Sequence, residues 1–295
     1  MKDNRSSSAR CQLLVGTSGY SYVEWVDAGF YPNGTPSGKM LSFYARTFPV
    51  TELNYTWYQM PKAEALERMR RQVSSAFWFT AKLNRRLTHE IDPGGWRGHV
   101  REYREGVAPL LQAGRLAAIL LQFPSSFHRV PHNRRYLADL LDELAGLPLA
   151  VEFRHVSWAT DKVFTELQRR KVTLVTVDTP DLPQLFPALN VVTNPEFFYV
   201  RFHGRNARGW RSANMQRQFD YDYSDLELQE WTDSVLESMM DRARRGFIFF
   251  NNHVRAQAPD NARKLIEHLV ARRLLDEKVT TAPQMPQDEL KLLVQ

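Results

Sequence analysis

The chain has 295 residues, 43% hydrophobic and 24% charged, and its net charge of +6 favours anionic partners without requiring nucleic acid. Its single cysteine, Cys11, excludes a disulfide framework and a zinc site built on cysteines. The polar first ten residues lack the apolar core of a signal peptide, and no apolar run approaches the roughly 18 residues of a membrane span, so we expect a cytoplasmic protein with no membrane partner.

Short apolar runs alternate with amphipathic segments along the chain, which is the pattern of a parallel sheet wrapped by helices. Eight strands are predicted, at Gln12–Gly16, Val50–Asn54, Phe77–Lys82, Leu116–Gln122, Leu149–Arg154, Val172–Asp178, Phe197–His203 and Phe247–Asn251. Helices are predicted between them, at Gly38–Phe48, Lys62–Val73, Arg97–Gln112, Asn133–Ala145, Asp161–Arg170, Asp225–Arg245 and Pro259–Arg273. This order predicts an α/β fold, a single-domain TIM-type (β/α)8 barrel over residues 11–275. Residues 1–10 are expected to be a disordered tail, and residues 276–295 a C-terminal tail.

The connection after the sixth predicted strand breaks the alternation. Between Asp178 and Phe197 the chain carries Pro180, Pro183, Pro187 and Pro195 and no convincing helical period. Either an irregular segment replaces the sixth helix or the strand assignment is wrong there, and we expect the former.

Polar side chains end most of the predicted strands. Some form i, i+2 pairs, such as Glu152 with Arg154, whose members point to the same side of a strand. Because barrel enzymes hold their catalytic residues at the carboxyl ends of the strands, we expect a polar ligand site there. The set comprises Glu52, Asn54, Lys82, Gln122, Glu152, Arg154, Asp178, Arg201, His203, Asn251 and Asn252.

The residue types suggest an anion site with acid/base chemistry. Arg154 and Arg201 are bidentate donors suited to a phosphate or carboxylate of a small anionic substrate. His203 titrates near neutrality unaided and is the first candidate for the general acid or base.

The remaining charged residues of the set allow several roles. Glu52, Glu152 and Asp178 could act as bases, orient His203 or Lys82, or hold a divalent cation. Lys82 could lose its proton beside arginines and act as a nucleophile or base, or simply pair with Glu52. We predict no metal and no cofactor, because the nearby cations already neutralise the carboxylates.

Two loops carry further candidate binding residues. Loop 204–217 carries arginines and an aromatic ring that suit nucleic acid, a lid over a small anion, or a solvated loop: Arg205, Arg208, Trp210 and Arg211. The segment GTSGYSYVEW after the first strand fits a tight turn or an anion site formed by backbone amides.

These motifs also give the chain a family resemblance. VGTSGYSYVEW, TELNYTWY, FTAKLNRRLTH, LLQFPSSF, VEFRHVSW, VDTP, YVRFHGR and FFNNHVRAQAPDNA, in this order, resemble the YecE-like family, domain of unknown function 72, from about residue 13 to 270. The resemblance implies a TIM barrel and no particular reaction. It adds His89 to the recurrent polar positions, and the motifs also carry Tyr58 and Trp158, which we include among the expected substrate-binding residues.

Three functions remain open. The first is an enzyme on a small anionic substrate, which could be phosphorylated, with the reaction class open among hydrolase, lyase and isomerase. The second is a nucleic-acid-binding protein, phosphodiesterase or nuclease that uses loop 204–217. The third is a non-catalytic ligand-binding barrel. The sequence does not decide the oligomeric state.

Overall fold

Eight parallel strands close into a barrel in the computed structural model, which describes residues 11–212 and 214–275. Their order around the barrel is their order in the chain, and the last strand pairs with the first from Gln12 opposite Arg245 to Thr17 opposite Phe250. The strands are β1 (Gln12–Ser18), β2 (Val50–Leu53), β3 (Trp78–Lys82), β4 (Leu116–Gln122), β5 (Leu149–Glu152), β6 (Thr173–Asp178), β7 (Phe198–Phe202) and β8 (Arg245–Phe250). All eight predicted strands and the barrel class are confirmed. Both predicted tails lie outside the described residues.

Helices follow the strands and cover the outside of the barrel. They are α1 (Glu24–Asp27), α2 (Ser37–Tyr44), α3 (Tyr55–Tyr58), α4 (Ala63–Arg71), α5 (Trp96–Gln112), α6 (Pro131–Glu143), α7 (Asp161–Arg170), α8 (Ala207–Arg211), α9 (Met215–Gln218), α10 (Asp225–Trp231), α11 (Glu237–Met240) and α12 (Gln257–Ala271). A π-helical turn, Thr232–Leu236, joins α10 to α11. The short helices α1, α3, α8 and α9 belong to the loops that follow β1, β2 and β7. Within the described ranges no helix is long and apolar enough to cross a membrane.

The strands are almost continuously buried because the barrel interior covers one face and the helices cover the other. Helix α6 shows how the outer layer packs. Its stripe of Tyr136, Leu137, Leu140 and Leu141, spaced at i, i+1, i+4 and i+5, is buried against the barrel. This burial of one helical face on the sheet follows from the amphipathic period of the sequence.

The segment between β6 and β7 is irregular throughout, as the prolines indicated. Side chains, rather than a helix, bind it to the barrel: Thr193 Oγ1 accepts from Leu174 N at 2.7 Å and donates to Val172 O at 2.7 Å. Thr176 Oγ1 donates to Leu189 O at 3.0 Å. The prediction that an irregular segment replaces the sixth helix is therefore confirmed.

Candidate active site

Arg201 joins two buried glutamates at the centre of the barrel mouth. Its Nη1 donates to Glu152 Oε2 and its Nη2 donates to Glu52 Oε1, each at 2.6 Å, and all three side chains are at most 1% exposed. Burial alone would lower the pKa of Arg201, but Glu152 and Glu52 raise it. Burial also opposes ionisation of Glu152, yet Arg154 and Arg201 hold its pKa well below the usual range. These contacts form a permanently charged core, in which both terminal nitrogens of Arg201 are already bound.

Hydrogen bonds from the barrel interior fix the second glutamate. Tyr199 OH donates to Glu52 Oε2 at 2.6 Å, and Thr80 Oγ1 lies 3.0 Å from the same hydroxyl. Arg201 Nη2 also reaches Ser18 Oγ at 3.3 Å. Because these residues come from β1, β2, β3 and β7, the core ties four strands together through side chains as well as the backbone.

His203 belongs to this core rather than to an open surface. Glu152 Oε1 lies 3.2 Å from its Nε2, and Asn251 Nδ2 lies 3.0 Å from its Nδ1. Burial, and then the nearby Arg154, lower the pKa of His203 to about 3. A neutral ring with its proton on Nε2 donates to Glu152 and accepts from Asn251, whereas Arg154 Nη2, a donor that also lies 3.2 Å from Nε2, favours the other tautomer. Such a ring orients Glu152, and it has no protonated form to offer near neutral pH.

A cavity of about 740 Å³ opens above this core, and we call it the mouth cavity. Its wall combines polar strand-end residues with aromatic side chains of the loops after β1, β2 and β7. Residues that line it include Tyr22, Glu52, Asn54, Trp57, Tyr58, Lys82, His89, Gln122, Arg154, Arg201, Trp210, Phe219, Asn251 and His253. A volume of this size suits a small-molecule ligand.

Lys82 is the ammonium group that faces the mouth cavity from the end of β3. Its side chain is half-buried, and its Nζ lies 5.0 Å from the ring centroid of Trp57. No carboxylate of the described residues lies within ion-pair distance of Nζ. Burial lowers the pKa of Lys82 to about 7, and Arg201 adds to this effect against the attraction of Glu52 and Glu152. The predicted simple ion pair with Glu52 is not formed, and the amine is partly deprotonated at neutral pH.

Arg154 provides the second positive charge on the cavity wall. Its Nε lies 2.6 Å from Glu152 Oε1, and its side chain is 11% exposed, in contrast to the 1% of Arg201. The ring of Trp210 covers the guanidinium at 5.2 Å. The indole Nε1 of Trp210 is buried without a hydrogen-bond partner among the described residues. A ligand with acceptor oxygens would therefore find the partly exposed guanidinium of Arg154 on this side of the cavity.

His89 and Trp57 form a further part of the cavity wall. Trp57 Nε1 donates to His89 Nδ1 at 3.3 Å, and Thr88 Oγ1 lies 2.8 Å from the same nitrogen. Burial, together with Lys82 and Arg154, lowers the pKa of His89 to about 4. The imidazole is thus neutral at pH 7, with its proton on Nε2 when Nδ1 accepts from Trp57.

Most of the predicted site residues are brought together. Glu52, Asn54, Tyr58, Lys82, His89, Gln122, Arg154, Arg201 and Asn251 line the mouth cavity, and Glu152 and His203 lie directly beneath it in the core. Tyr58 is on the rim, where it is 56% exposed. Gln122 donates to Phe123 O at 2.9 Å beside the cavity.

Asp178 and Asn252 face the helices instead, which corrects their assignment to the mouth. Asp178 lies opposite Phe202 in the sheet, and Phe202 packs on Trp231 of α10. Asp178 accepts from Arg205 Nε at 2.9 Å and from the indole of Trp231. Asn252 lies two residues after the outward-facing Phe250, and donates to Tyr221 O at 2.8 Å. Both side chains hold the seventh loop and its helix on the barrel.

Trp158 and Arg205 are also absent from the lining of the mouth cavity. Trp158 stacks on Phe153 at 4.5 Å and donates from Nε1 to Phe127 O at 2.6 Å, so it is part of the outer core. Arg205 pairs with Asp178 and with Glu227, the latter at 3.1 Å. Arg208 and Arg211 of α8, by contrast, are exposed.

Several aromatic or polar lining residues were not singled out from the sequence, and four of them are Tyr22, Trp57, Phe219 and His253. The ring of Tyr22 stacks on His253 at 4.7 Å, although the two residues belong to loops at opposite ends of the chain. Trp57 stands within the motif TELNYTWY, directly before Tyr58, so the density of aromatic residues after the second strand was a usable signal. The other three have no comparable local pattern.

The segment after β1 forms a tight turn. Gly19 has φ +89°, a left-handed conformation that glycine adopts without strain, and its N donates to Glu52 O at 2.8 Å. Thr17 Oγ1 donates to Gly19 O at 2.6 Å. The Gly19 amide is therefore occupied by the chain itself, as the tight-turn interpretation expects.

The carboxylates do not assemble as a metal cluster. Among residues 11–212 and 214–275, no group of three or more His, Cys, Asp or Glu side chains could hold a metal ion. The two core glutamates face arginines instead.

The chain is similar over most of its length to proteins of one family. The model of the family described as "Protein of unknown function DUF72" matches residues 14–287. The UPF0759 protein YunF of Bacillus subtilis is 28% identical over 276 residues, which cover 87% of this chain and 94% of that protein. The UPF0759 protein YecE of Escherichia coli is 31% identical over 144 residues, 48% of either chain.

Solved structures give the same result. A DUF72 family protein from Thermotoga maritima superposes with a TM-score of 0.79 at 34% identity, covering 88% of this chain and 99% of that one. A DUF72 family protein from Enterococcus faecalis superposes with a TM-score of 0.79 at 25% identity, covering 88% of this chain and 96% of that one.

Proposed function

The chain belongs to the DUF72 family, as its motifs indicated, and we propose that it is an enzyme that binds a small anionic substrate in the mouth cavity and transfers a proton with Lys82. One observation carries the proposal: the Lys82 amine and the Arg154 guanidinium line the same cavity, and the amine has no carboxylate partner. Arg201, our other predicted anion ligand, is already bound by two glutamates.

The charge balance of the mouth favours an anion. In the core, the carboxylates of Glu52 and Glu152 are matched by the guanidiniums of Arg201 and Arg154. Protonated Lys82 therefore adds an uncompensated positive charge at the cavity wall. Because charges interact strongly in a partly desolvated cavity, an anionic group beside Lys82 and Arg154 would be stabilised there.

Lys82 also replaces His203 as the proton-transferring group of the proposal. A pKa of about 7 keeps both forms of Lys82 present near neutrality, where general acid/base catalysis is most effective. His203, with a pKa of about 3 and its ring bound to Glu152 and Asn251, becomes a positioning residue for the core. Proton abstraction next to a carbonyl or carboxylate is the reaction class that this arrangement suits.

Depletion of metabolites tests the proposal without a known substrate. A cell extract of small molecules is incubated with wild type, with Lys82→Met and with Lys62→Met, an exposed lysine of the outer surface. Mass spectrometry should reveal an anionic compound that wild type and Lys62→Met consume and Lys82→Met does not. Consumption that survives in Lys82→Met, or no consumption by any protein, would contradict the proposal.

A second candidate function rests on the seventh loop. Arg208 and Arg211 of α8 are exposed, and they flank Trp210 on the cavity wall. Cations beside an aromatic ring suit the phosphates and bases of a single-stranded nucleic acid. In this alternative the mouth cavity receives the end of a strand or an extruded nucleotide rather than a free metabolite.

A further inference from the structure

We propose that Lys82 is a nucleophile that forms an imine with the carbonyl carbon of an anionic aldehyde or ketone. The inference rests on the proposed function, since it uses the same cavity and the same anion. It goes further in naming the substrate's reacting group and a covalent intermediate.

The backbone of Lys82 is held in place, while its side-chain nitrogen has no hydrogen-bond or ion-pair partner among the described residues. Its backbone carbonyl accepts from Thr56 Oγ1 at 2.6 Å and from Tyr103 OH at 3.1 Å, so the end of β3 is held from two sides. The side chain then runs beside Trp57 into the mouth cavity. Among the described residues its Nζ makes neither an ion pair nor a hydrogen bond, which leaves the lone pair available once the proton is lost.

The surroundings favour the neutral amine over the ammonium. The ring of Trp57 attracts the charged form, but burial and Arg201 outweigh that attraction and bring the pKa to about 7. At pH 7 about half of Lys82 is then neutral, whereas a solvated lysine with a pKa of about 10.4 is neutral in roughly 4 molecules of 10,000. A lowered pKa in a desolvated site next to other cations is how lysines become nucleophiles.

The covalent step balances without a further reactant. The Lys82 amine attacks the carbonyl carbon, a C–N bond forms, and the carbonyl oxygen gains a proton to give a carbinolamine. That hydroxyl, protonated once more from solvent, leaves as water while the nitrogen lone pair forms the C=N bond. The product is a protonated imine, which withdraws electrons from the neighbouring carbon and acidifies its C–H bond. In this step Lys82 activates the substrate instead of accepting the proton, because its lone pair is now in the C=N bond, and solvent or the neutral imidazole of His89 in the same cavity accepts the proton.

The anion requirement follows from Arg154. Its guanidinium lines the same cavity and is close enough to disfavour protonation of Lys82. A carbonyl compound that also carries a phosphate or carboxylate can bind Arg154 and place its carbonyl carbon at the amine.

Reductive trapping with pyridoxal 5′-phosphate tests the inference, since this probe is an aldehyde that carries a phosphate. The full-length protein is incubated with the probe at pH 7, reduced with borohydride, digested and mapped by mass spectrometry. Lys82 should be modified at least tenfold more than any exposed lysine. Pyridoxal, which lacks the phosphate, should modify Lys82 at least tenfold less. Lys62→Arg should retain the modification, and Lys82→Arg, with its fold checked by circular dichroism, should lose it.

The outcomes separate the inference from the proposed function. Modification spread over exposed lysines, with Lys82 not preferred, would overturn the imine. Equal modification by pyridoxal would overturn the anionic substrate class. If Lys82 resists trapping while a metabolite is still consumed in a Lys82-dependent way, the imine is wrong and the proton transfer stands.

Discussion

Arg201 Nη1 donates to Glu152 Oε2 at 2.6 Å, and neither side chain is more than 1% exposed. A carboxylate at this depth is stable only with its partner, because a buried unpaired charge costs several kcal/mol. The same guanidinium holds Glu52, so one residue of β7 neutralises two strand ends on either side of the mouth.

Replacing Arg201 by methionine should therefore destabilise the fold. The variant leaves two buried carboxylates without their shared partner, and we expect the free energy of unfolding to fall by about 3–5 kcal/mol. Urea denaturation at pH 7 measures it. Arg208→Met, which removes an exposed arginine, should change stability by less than about 0.5 kcal/mol. If Arg201→Met lowers the free energy of unfolding no more than Arg208→Met does, the core glutamates do not need Arg201 as a partner.

The depressed pKa of Lys82 predicts a pH-dependent stability difference between wild type and Lys82→Met. Below pH 7 both folded and unfolded wild type carry the proton, and the cost of the buried ammonium is fully present. Between pH 7 and about 10.4 the unfolded chain binds more protons at this site, so wild type gains stability as pH rises. From pH 7 to 9.5 the gain relative to Lys82→Met should reach about 3 kcal/mol, at about 1.4 kcal/mol for each pH unit. A difference that stays constant over this range would contradict a lowered pKa.

Asp178 should prove structural. Asp178→Asn removes the charge that Arg205 and Trp231 surround on the outer face of the barrel. We expect stability to fall by about 2 kcal/mol, because a hydrogen-bonded ion pair with a buried carboxylate is lost. Trapping of Lys82 by pyridoxal 5′-phosphate should be unchanged in this variant. If Asp178→Asn remains folded but Lys82 is no longer trapped, Asp178 contributes to the site and is not only structural.

The second candidate function predicts oligonucleotide binding that depends on α8. A labelled single-stranded oligonucleotide should bind wild type with an affinity that falls steeply as salt increases, since phosphate contacts release counterions. Replacing Arg208 and Arg211 together by serine should weaken binding and reduce the salt dependence by about two ions, one for each contact. If the affinity changes neither with salt concentration nor with the double substitution, the nucleic-acid function is contradicted and the small-anion enzyme remains.

The sequence was sufficient for the barrel and for most of the site, because both depend on local period. Apolar runs locate strands, and the i, i+2 spacing places Glu152 with Arg154 and Arg201 with His203 on one side of their strands. The same spacing could not show whether the side chain of Asp178 faces the barrel interior or the helices. It is opposite the outward-facing Phe202, and that register is set by the neighbouring strand rather than by the residues around Asp178.

Other parts of the site depend on the tertiary structure alone. His203 looked like the titrating group, yet its burial beside Arg154 lowers its pKa to about 3. Tyr22 and His253 stack at the cavity wall from loops 231 residues apart, a contact that no local pattern encodes. Trp158 follows a strand end as a site residue would, but the turn after β5 folds it back onto Phe153.

A direct titration of Lys82 tests the central claim. Protein labelled with ¹³C at the lysine ε-carbon is followed by NMR from pH 5 to 11, and the Lys82 signal is assigned by its absence from Lys82→Arg. We expect this signal to titrate with a midpoint near 7, well below the roughly 10.4 of a solvated lysine. A midpoint near 10 would leave Lys82 a permanent cation at neutral pH, and neither the proton transfer nor the imine could then be its role.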